Sequence, residues 1–295
     1  MRNKSKKQYP LKQSPLYKLS SKKRLAEILG ISKDDIERLT KGGNLYNEWD
    51  EVNEKGKSRH IENPRHELKR TQRKIANLLS RIIPPDFLYC PVKDRSYITN
   101  AKQHIGQRNV RCLDIKAYFT ATTSRRVYWF FHNYMDCPKD VAGILTALST
   151  YNGHLPTGSP LSPILSYFSH IEMWEEISNL VQQNGCILTV YMDDLTVSGE
   201  KVTPYLMWQI RRQIHRFGLS YHKEKHYHGN FSEITGIIIK DKMITLPNRQ
   251  HLKKHLLQRA LAKTIDPNEK NKIALRLHGC NAQITQLKHS MSSAM

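Results

Sequence analysis

Hydrophobic positions along the chain change period repeatedly, and each change marks an element. The run LAEILGIS from Leu25, followed by DDIERLTK from Asp34, predicts two short amphipathic helices around a glycine turn. Asp34, Asp35 and Glu37 would repel phosphate, so this pair is expected to pack rather than read DNA. From Glu54 the chain turns at Gly56 into a short strand ending at Pro64. A helix follows with Leu68, Ile75, Leu78, Leu79 and Ile82 on one face, and Pro84-Pro85 stops it. Residues 110–119 alternate apolar positions around Asp114, the pattern of a strand with an acidic tip. Residues 127–134 and 141–149 read as buried helices joined by a Cys-Pro turn, which assigns Tyr128, Trp129, Phe130 and Phe131 to the core.

The turn-rich loop 153–163 leads into a helix over about 164–181. From Gly185, apolar runs flank Asp193 and Asp194, predicting a hairpin with acids at its tip. A helix over 205–217 and a second hairpin, EITGIIIKDKMITLP, turning at Asp241-Lys242, come next. Residues 249–295 read as helical. Leu252, Leu256, Leu261 and Ile265 form the expected apolar stripe, with Lys253, Lys254 and Lys263 largely off it.

Composition narrows the class. With 39% hydrophobic and 25% charged residues in 295, the chain can bury a core as one large domain or two to three lobes. No window approaches the ~20 apolar residues of a membrane-spanning helix, so no membrane partner is expected. Lys and Arg number 47 against 26 Asp and Glu, a net charge of +21, which favours a nucleic-acid partner. The first 24 residues hold nine Lys or Arg and no acid; they lack the apolar core of a secretory signal and read as a solvated tail or a nucleic-acid arm. Five scattered cysteines without a C-x-x-C pair argue against a disulfide scaffold or zinc site and fit a reducing cytoplasm. His222, His226 and His228 lack partners at zinc spacing and, beside Lys223 and Lys225, read as a surface facing nucleic acid.

The chemistry lies in three carboxylates. Asp114 ends one apolar strand, and Asp193 and Asp194 sit between two others. Acids gathered at strand ends are costly without a cation, and a pair of Mg²⁺ ions, hard and oxygen-seeking, is the usual answer. Two such ions about 3.5–4 Å apart clamp the attacking and leaving oxygens of an in-line phosphoryl displacement.

Tyr191-Met192-Asp193-Asp194 and Leu113-Asp114-Ile115-Lys116-Ala117-Tyr118-Phe119 resemble the signature motifs of reverse transcriptases. The resemblance implies an α+β right-hand polymerase. Residues 1–50 would be a basic extension with short helices, 51–110 the fingers, 111–245 the palm (about 120–158 returning to the fingers) and 246–295 a short helical thumb. It implies that Asp114, Asp193 and Asp194, with Ile115 beside them, hold two Mg²⁺ ions, Mn²⁺ being a substitute. Gly56-Lys57-Ser58-Arg59-His60-Ile61, with Pro64, Leu68-Lys69 and Gln72, resembles the fingers motif, in which Arg59, and Lys57 beside it, would grip the incoming dNTP. Tyr118 matches the aromatic gate that excludes a ribose 2′-hydroxyl, with a core aromatic at a strand end as the rival reading. Residues 156–163 resemble the nucleotide-positioning loop, assigning Gly158 and Ser159 to the nucleotide; Thr157 stands where many relatives carry Gln. Phe217-Gly218-Leu219 with Lys225 resembles the motif whose lysine protonates pyrophosphate, with His222 in place of the usual Asn.

The resemblance narrows to retron reverse transcriptases through Asn100-Ala101-Lys102-Gln103-His104, an N-A-x-x-H element, and Ile234-Thr235-Gly236, a variant of V-T-G. The length, with no maturase, RNase H or endonuclease segment, suits that branch. It implies a cognate structured noncoding RNA, priming from a guanosine 2′-hydroxyl, and a branched RNA-linked single-stranded DNA (msDNA), within anti-phage defence and beside a separate effector protein. Asn100 and His104 would share in RNA recognition or be hydrogen-bonded residues of the fold, and Lys253, Lys254 and Lys263 would hold an RNA stem. The rivals are a group II intron-like or diversity-generating reverse transcriptase and a noncatalytic RNA-binding scaffold.

Overall fold

The computed structural model describes residues 7–52, 56–241 and 243–292. The basic residues 1–6, Glu54 and the turn residue Lys242 lie outside the described residues.

The N-terminal helices α1 (Lys22–Leu29) and α2 (Lys33–Lys41) form as the glycine turn implies. Gly30 ends α1 at φ 64°, and Ser32 with Asp35 closes a capping box on α2. Leu25, Leu29, Ile36 and Leu39 are buried in the main core, so the pair is a packing unit. Strands β1 (Tyr46–Val52) and β2 (Ser58–Pro64) make an antiparallel hairpin, with Asp50 opposite His60. Only β2 was legible in sequence; β1 buries Tyr46 alone and has no apolar alternation to show. Helix α3 (His66–Leu79) buries Leu68, Ile75 and Leu79 but ends before Ile82, which reaches the core through a bridge to Tyr9.

Next come β3 (Leu88–Cys90), α4 (Tyr97–Lys102), β4 (Asn109–Ile115), α5 (Tyr118–Ala121) and α6 (Ser124–Trp129), which runs into a π-helical turn over Phe130–Tyr134. Then α7 (Lys139–Ser149), α8 (Ser162–Ser169) and α9 (Ile171–Gln183) precede the hairpin β5 (Ile187–Tyr191) and β6 (Asp194–Ser198). The expected strand 110–119 therefore stops at Ile115. Ala117 takes φ 50°, and that left-handed residue turns the chain so that Tyr118 and Phe119 start a helix. The expected helix 164–181 is broken at buried His170, whose φ of −119° leaves the helical region.

Helix α10 (Pro204–Arg216) leads into β7 (Tyr221–His228), β8 (Phe231–Ile234), β9 (Ile237–Lys240) and β10 (Met243–Thr245), and α11 (Asn248–Lys263) and α12 (Pro267–Ser292) follow. The fold is thus mixed α and β. Its five-stranded sheet runs β3-β5-β6-β4-β7, antiparallel except for β3 beside β5; β10-β9-β8 form a smaller sheet. The sequence HKEKHYH is strand β7, paired along β4. The expected second hairpin is a three-stranded meander with an extra turn at Thr235-Gly236.

The C-terminal stripe is corrected. Leu252, Leu256 and Ile265 are exposed, while Leu257 and Leu287 are buried. Helices α11 and α12 pack on each other, and that choice of face leaves the expected stripe in solvent. Among the described residues no helix is long and apolar enough to cross a membrane. All five cysteines are free thiols.

Candidate active site

The three aspartates meet because β4 and β6 are neighbours. Asp114 stands directly opposite Asp194 in the β4–β6 register, and the Asp193 carbonyl accepts a hydrogen bond from the Ile115 amide at 2.9 Å. Met192, at φ 61°, makes the tight turn that places Asp193 and Asp194 at the tip of β5–β6. Like charges facing each other across a ladder oppose the pairing. Burial pushes the Asp193 carboxyl up, helped by Asp114 and countered by Arg59. Burial, then Asp193 and Asp114, push Asp194 up to about 6, with Lys225 opposing. Half-buried carboxylates gathered at one place, with Asp193 and Asp194 both raised, are a fit donor set for a hard divalent cation.

Two clefts open on the trio. One, of about 560 Å³, is lined by Arg59, Phe119, Thr157 and Asp193. The other, of about 300 Å³, is lined by Asp114, Asp194, Lys223, Lys225 and Glu233. Arg59, exposed on β2, thus lines the larger cleft, and Lys223 and Lys225, exposed on β7, line the smaller. Lys57 is exposed just before β2. Ile115 is buried and offers the site only its backbone.

Several residues expected at the nucleotide also carry packing and hydrogen bonds of the fold. Tyr118 is 4% exposed; its hydroxyl donates to the Ser166 carbonyl at 3.0 Å and accepts from the Trp174 indole at 3.0 Å. Its neighbour Phe119 is half-buried and lines the larger cleft. The motif resemblance pointed to Tyr118, which lines the same cleft as Phe119 but is the more buried of the two. Gly158 does need its missing Cβ, but the close neighbour is protein: a Cβ there would lie 2.7 Å from the Glu62 carbonyl oxygen and 2.9 Å from the Asn63 Cα. Ser159 is buried, donating to Gln72 Oε1 at 2.6 Å and accepting from the Leu161 amide. Thr157 Oγ1 donates to the His60 carbonyl at 2.9 Å and accepts from the Glu62 amide, so the loop is stitched to β2.

Of the two readings of Asn100 and His104, burial favours residues of the fold, since both lie inside the protein. His104 bridges the hydroxyls of Ser198 (2.6 Å) on β6 and Thr189 (2.8 Å) on β5, inside the hairpin that carries Asp193 and Asp194. Asn100 donates to Thr235 Oγ1 at 3.4 Å, and Thr235 donates to the Tyr97 carbonyl at 3.0 Å. The N-A-x-x-H and I-T-G elements are therefore one hydrogen-bonded assembly, and Thr235 and Gly236 line the smaller cleft with Asp114 and Asp194. From the same helix, Tyr97 reaches Gln286 and Lys102 reaches the Ser290 carbonyl on α12. Thr189 and Ser198 had no signal in sequence, since small hydroxyls inside apolar strands look like ordinary strand residues. Lys253 and Lys263 are exposed on α11 and Lys254 is half-buried.

Glu48, His60 and Glu62 form a trio whose ligand atoms lie within 4.8 Å of one another. It is a hydrogen-bonded network: His60 binds Glu48 (3.1 Å) and Asp50 (3.0 Å), while His154 binds Glu62 (2.9 Å).

No family model matches the chain. It is similar to the Retron Se72 reverse transcriptase of Salmonella heidelberg, 29% identical over 180 residues, 60% of this chain and 48% of the relative. It is 30% identical to the Retron Ec86 reverse transcriptase of Escherichia coli over 145 residues, 49% of this chain and 45% of the relative. The Retron Mx65 reverse transcriptase of Myxococcus xanthus is 26% identical over 238 residues, 72% of this chain and 55% of the relative. The chain spans about half the length of the curated relatives it matches.

Proposed function

From this likeness to retron reverse transcriptases, we propose that the chain is an RNA-directed DNA polymerase. The observation that carries the reading is the meeting of Asp114 with Asp193 and Asp194 between two clefts, each with a cation. In this reading β1–β2, α3 and the helices of 120–158 are fingers, the five-stranded sheet with α9 and α10 is palm, and α11–α12 are thumb.

Asp114, Asp193 and Asp194 would hold two divalent ions, Mg²⁺ or Mn²⁺, which supply neutralisation of charge on the attacking and leaving oxygens. Arg59, across the cleft from Phe119, binds the dNTP triphosphate, for which a guanidinium fork suits phosphate oxygens. Phe119, the less buried of the two rings lining the larger cleft, is the one we assign to meet a ribose 2′-hydroxyl. Lys225 is placed to give its proton to departing pyrophosphate or to hold it. The Thr157-Gly158-Ser159 loop fixes the cleft wall on β2, and Asn100 and His104 fix the hairpin that carries the aspartates. Lys253, Lys254 and Lys263 would contact the RNA backbone.

The finer reading follows the retron likeness. The substrate is a cognate structured noncoding RNA, primed from a guanosine 2′-hydroxyl, and the product is a branched RNA-linked single-stranded DNA, with a separate effector protein in anti-phage defence. The test is substitution of Asp193→Asn with Asp194→Asn, assayed for DNA synthesis and RNA binding. Synthesis should vanish while binding persists. Surviving synthesis would remove the aspartates from the mechanism, and a debranching enzyme that leaves the purified nucleic acid unshifted would remove the branched product.

A further inference from the structure

The outer face of α10 carries a stripe that the polymerase reading does not use. Tyr205, Trp208, Arg212 and His215 recur at three- and four-residue steps and share one side of the helix. The opposite side buries Leu206, Met207, Ile210 and Ile214. Tyr205 is 65% and Trp208 47% exposed, yet their rings are stacked, with centroids 5.7 Å apart and planes 19° from parallel. The Arg212 guanidinium lies over the Trp208 ring at 5.5 Å. The His215 ring leans on Tyr221, 5.7 Å between centroids, and extends the stripe toward β7.

The charges on this helix are sorted. Arg211 is paired with Glu224 and Arg216 with Glu176. Arg212, the arginine on the stripe, forms no carboxylate ion pair among the described residues and lies on the indole instead. The sequence of α10 contains no acid. None of the four stripe residues lines either cleft at the aspartates.

We propose that this stripe is a stacking platform for unpaired bases of RNA. Planar faces left in water at the surface of a chain of net charge +21 complement a polyanion whose bases present planar faces. The stripe has no aliphatic residue, which sets it apart from an apolar protein-docking face. Arg212 can meet a phosphate or extend the stack. The proposal rests on the reading of the chain as an RNA-binding polymerase and adds a second RNA contact, on the far side of α10 from its buried face.

Binding of a fluorescein-labelled single-stranded oligouridylate and of a duplex RNA, followed by anisotropy, tests it. Tyr205→Ala with Trp208→Ala should weaken single-strand binding on the order of tenfold or more, with duplex affinity and the salt slope unchanged. Arg212→Ala should also weaken binding and lower the salt slope by about one. Trp208→Phe, which keeps a stacking face, should restore most of the affinity. Single-strand affinity unchanged in the double variant, or an equal loss on duplex, overturns the platform. Unchanged affinity together with a shift in sedimentation would assign the stripe to a second copy of the chain, which also overturns it. At saturating DNA-primed polyadenylate, DNA synthesis should match that of the unsubstituted protein in every variant. If the unsubstituted protein makes no DNA, the polymerase reading fails while the anisotropy still decides the platform.

Discussion

Replacing His104 probes the link between the N-A-x-x-H element and the aspartate hairpin. Its two ring nitrogens hold Thr189 Oγ1 and Ser198 Oγ on adjacent strands, and all three side chains are buried. His104→Ala leaves two buried hydroxyls without this partner, at roughly 1–3 kcal/mol each, and opens a cavity. A loss of roughly 3–5 kcal/mol is expected in urea unfolding at neutral pH. The pH dependence gives an independent reading. Burial lowers the His104 pKa from 6.5 to about 3, so the unfolded chain binds a proton that the folded chain refuses. The neutral ring's contribution is therefore fully present above pH 6.5 and declines as pH falls from 6.5 toward 3. The slope is about 1.4 kcal/mol per pH unit for one such histidine. His170, also lowered to about 3 by burial and then by Arg126, contributes a second equal slope. Asp194, raised to about 6, acts with opposite sign, because its folded form holds the proton more tightly than the unfolded chain does. Comparing the protein with His104→Gln cancels both. The gap between the two stability curves should shrink by about 1.4 kcal/mol per unit below pH 6.5. Parallel curves between pH 6.5 and 5, or a loss in His104→Ala under about 1 kcal/mol, would refute the reasoning.

Other substitutions test single contacts. Phe119→Ala should raise ribonucleotide incorporation relative to deoxynucleotide in primer extension. Tyr118→Phe should leave that ratio unchanged while costing roughly 1 kcal/mol of unfolding free energy, through loss of its bonds to Ser166 and Trp174. Gly158→Ala forces a Cβ against the backbone of Glu62 and Asn63, so thermal unfolding should report a loss of roughly 1–3 kcal/mol. Lys225→Ala should lower kcat in single-nucleotide extension by roughly 10²-fold or more if the lysine is the proton donor; an unchanged kcat would leave it a phosphate contact.

Periodicity located the pieces of the site but not their meeting. Asp114 at a strand end and Asp193 and Asp194 at a hairpin tip were legible because apolar runs of strand length flank them, and the motif residues marked their chemistry. The capped helices α1 and α2 were legible because Gly30, Ser32 and Asp35 act within a few residues of themselves. Strands β1 and β7 were not, since each is mostly polar and takes its shape from a partner strand, β2 or β4.

By itself, then, the sequence determined what depends on near neighbours: helix caps, strand alternation, the tight turns, the overall charge and the identity of the aspartates. Tertiary structure decided what depends on contacts far apart in the chain. It set Asp114 opposite Asp194, joined Asn100 to Thr235, and enclosed His104 between Thr189 and Ser198. A single left-handed residue, Ala117, ended the expected strand, so that Tyr118 and Phe119 start a helix. In the C-terminal helices, either of two apolar faces satisfies helical periodicity. The packing of α11 on α12 selected Leu257 for burial and left Leu252 and Leu256 in water, because burial is settled by the surface a helix meets and not by its own repeat.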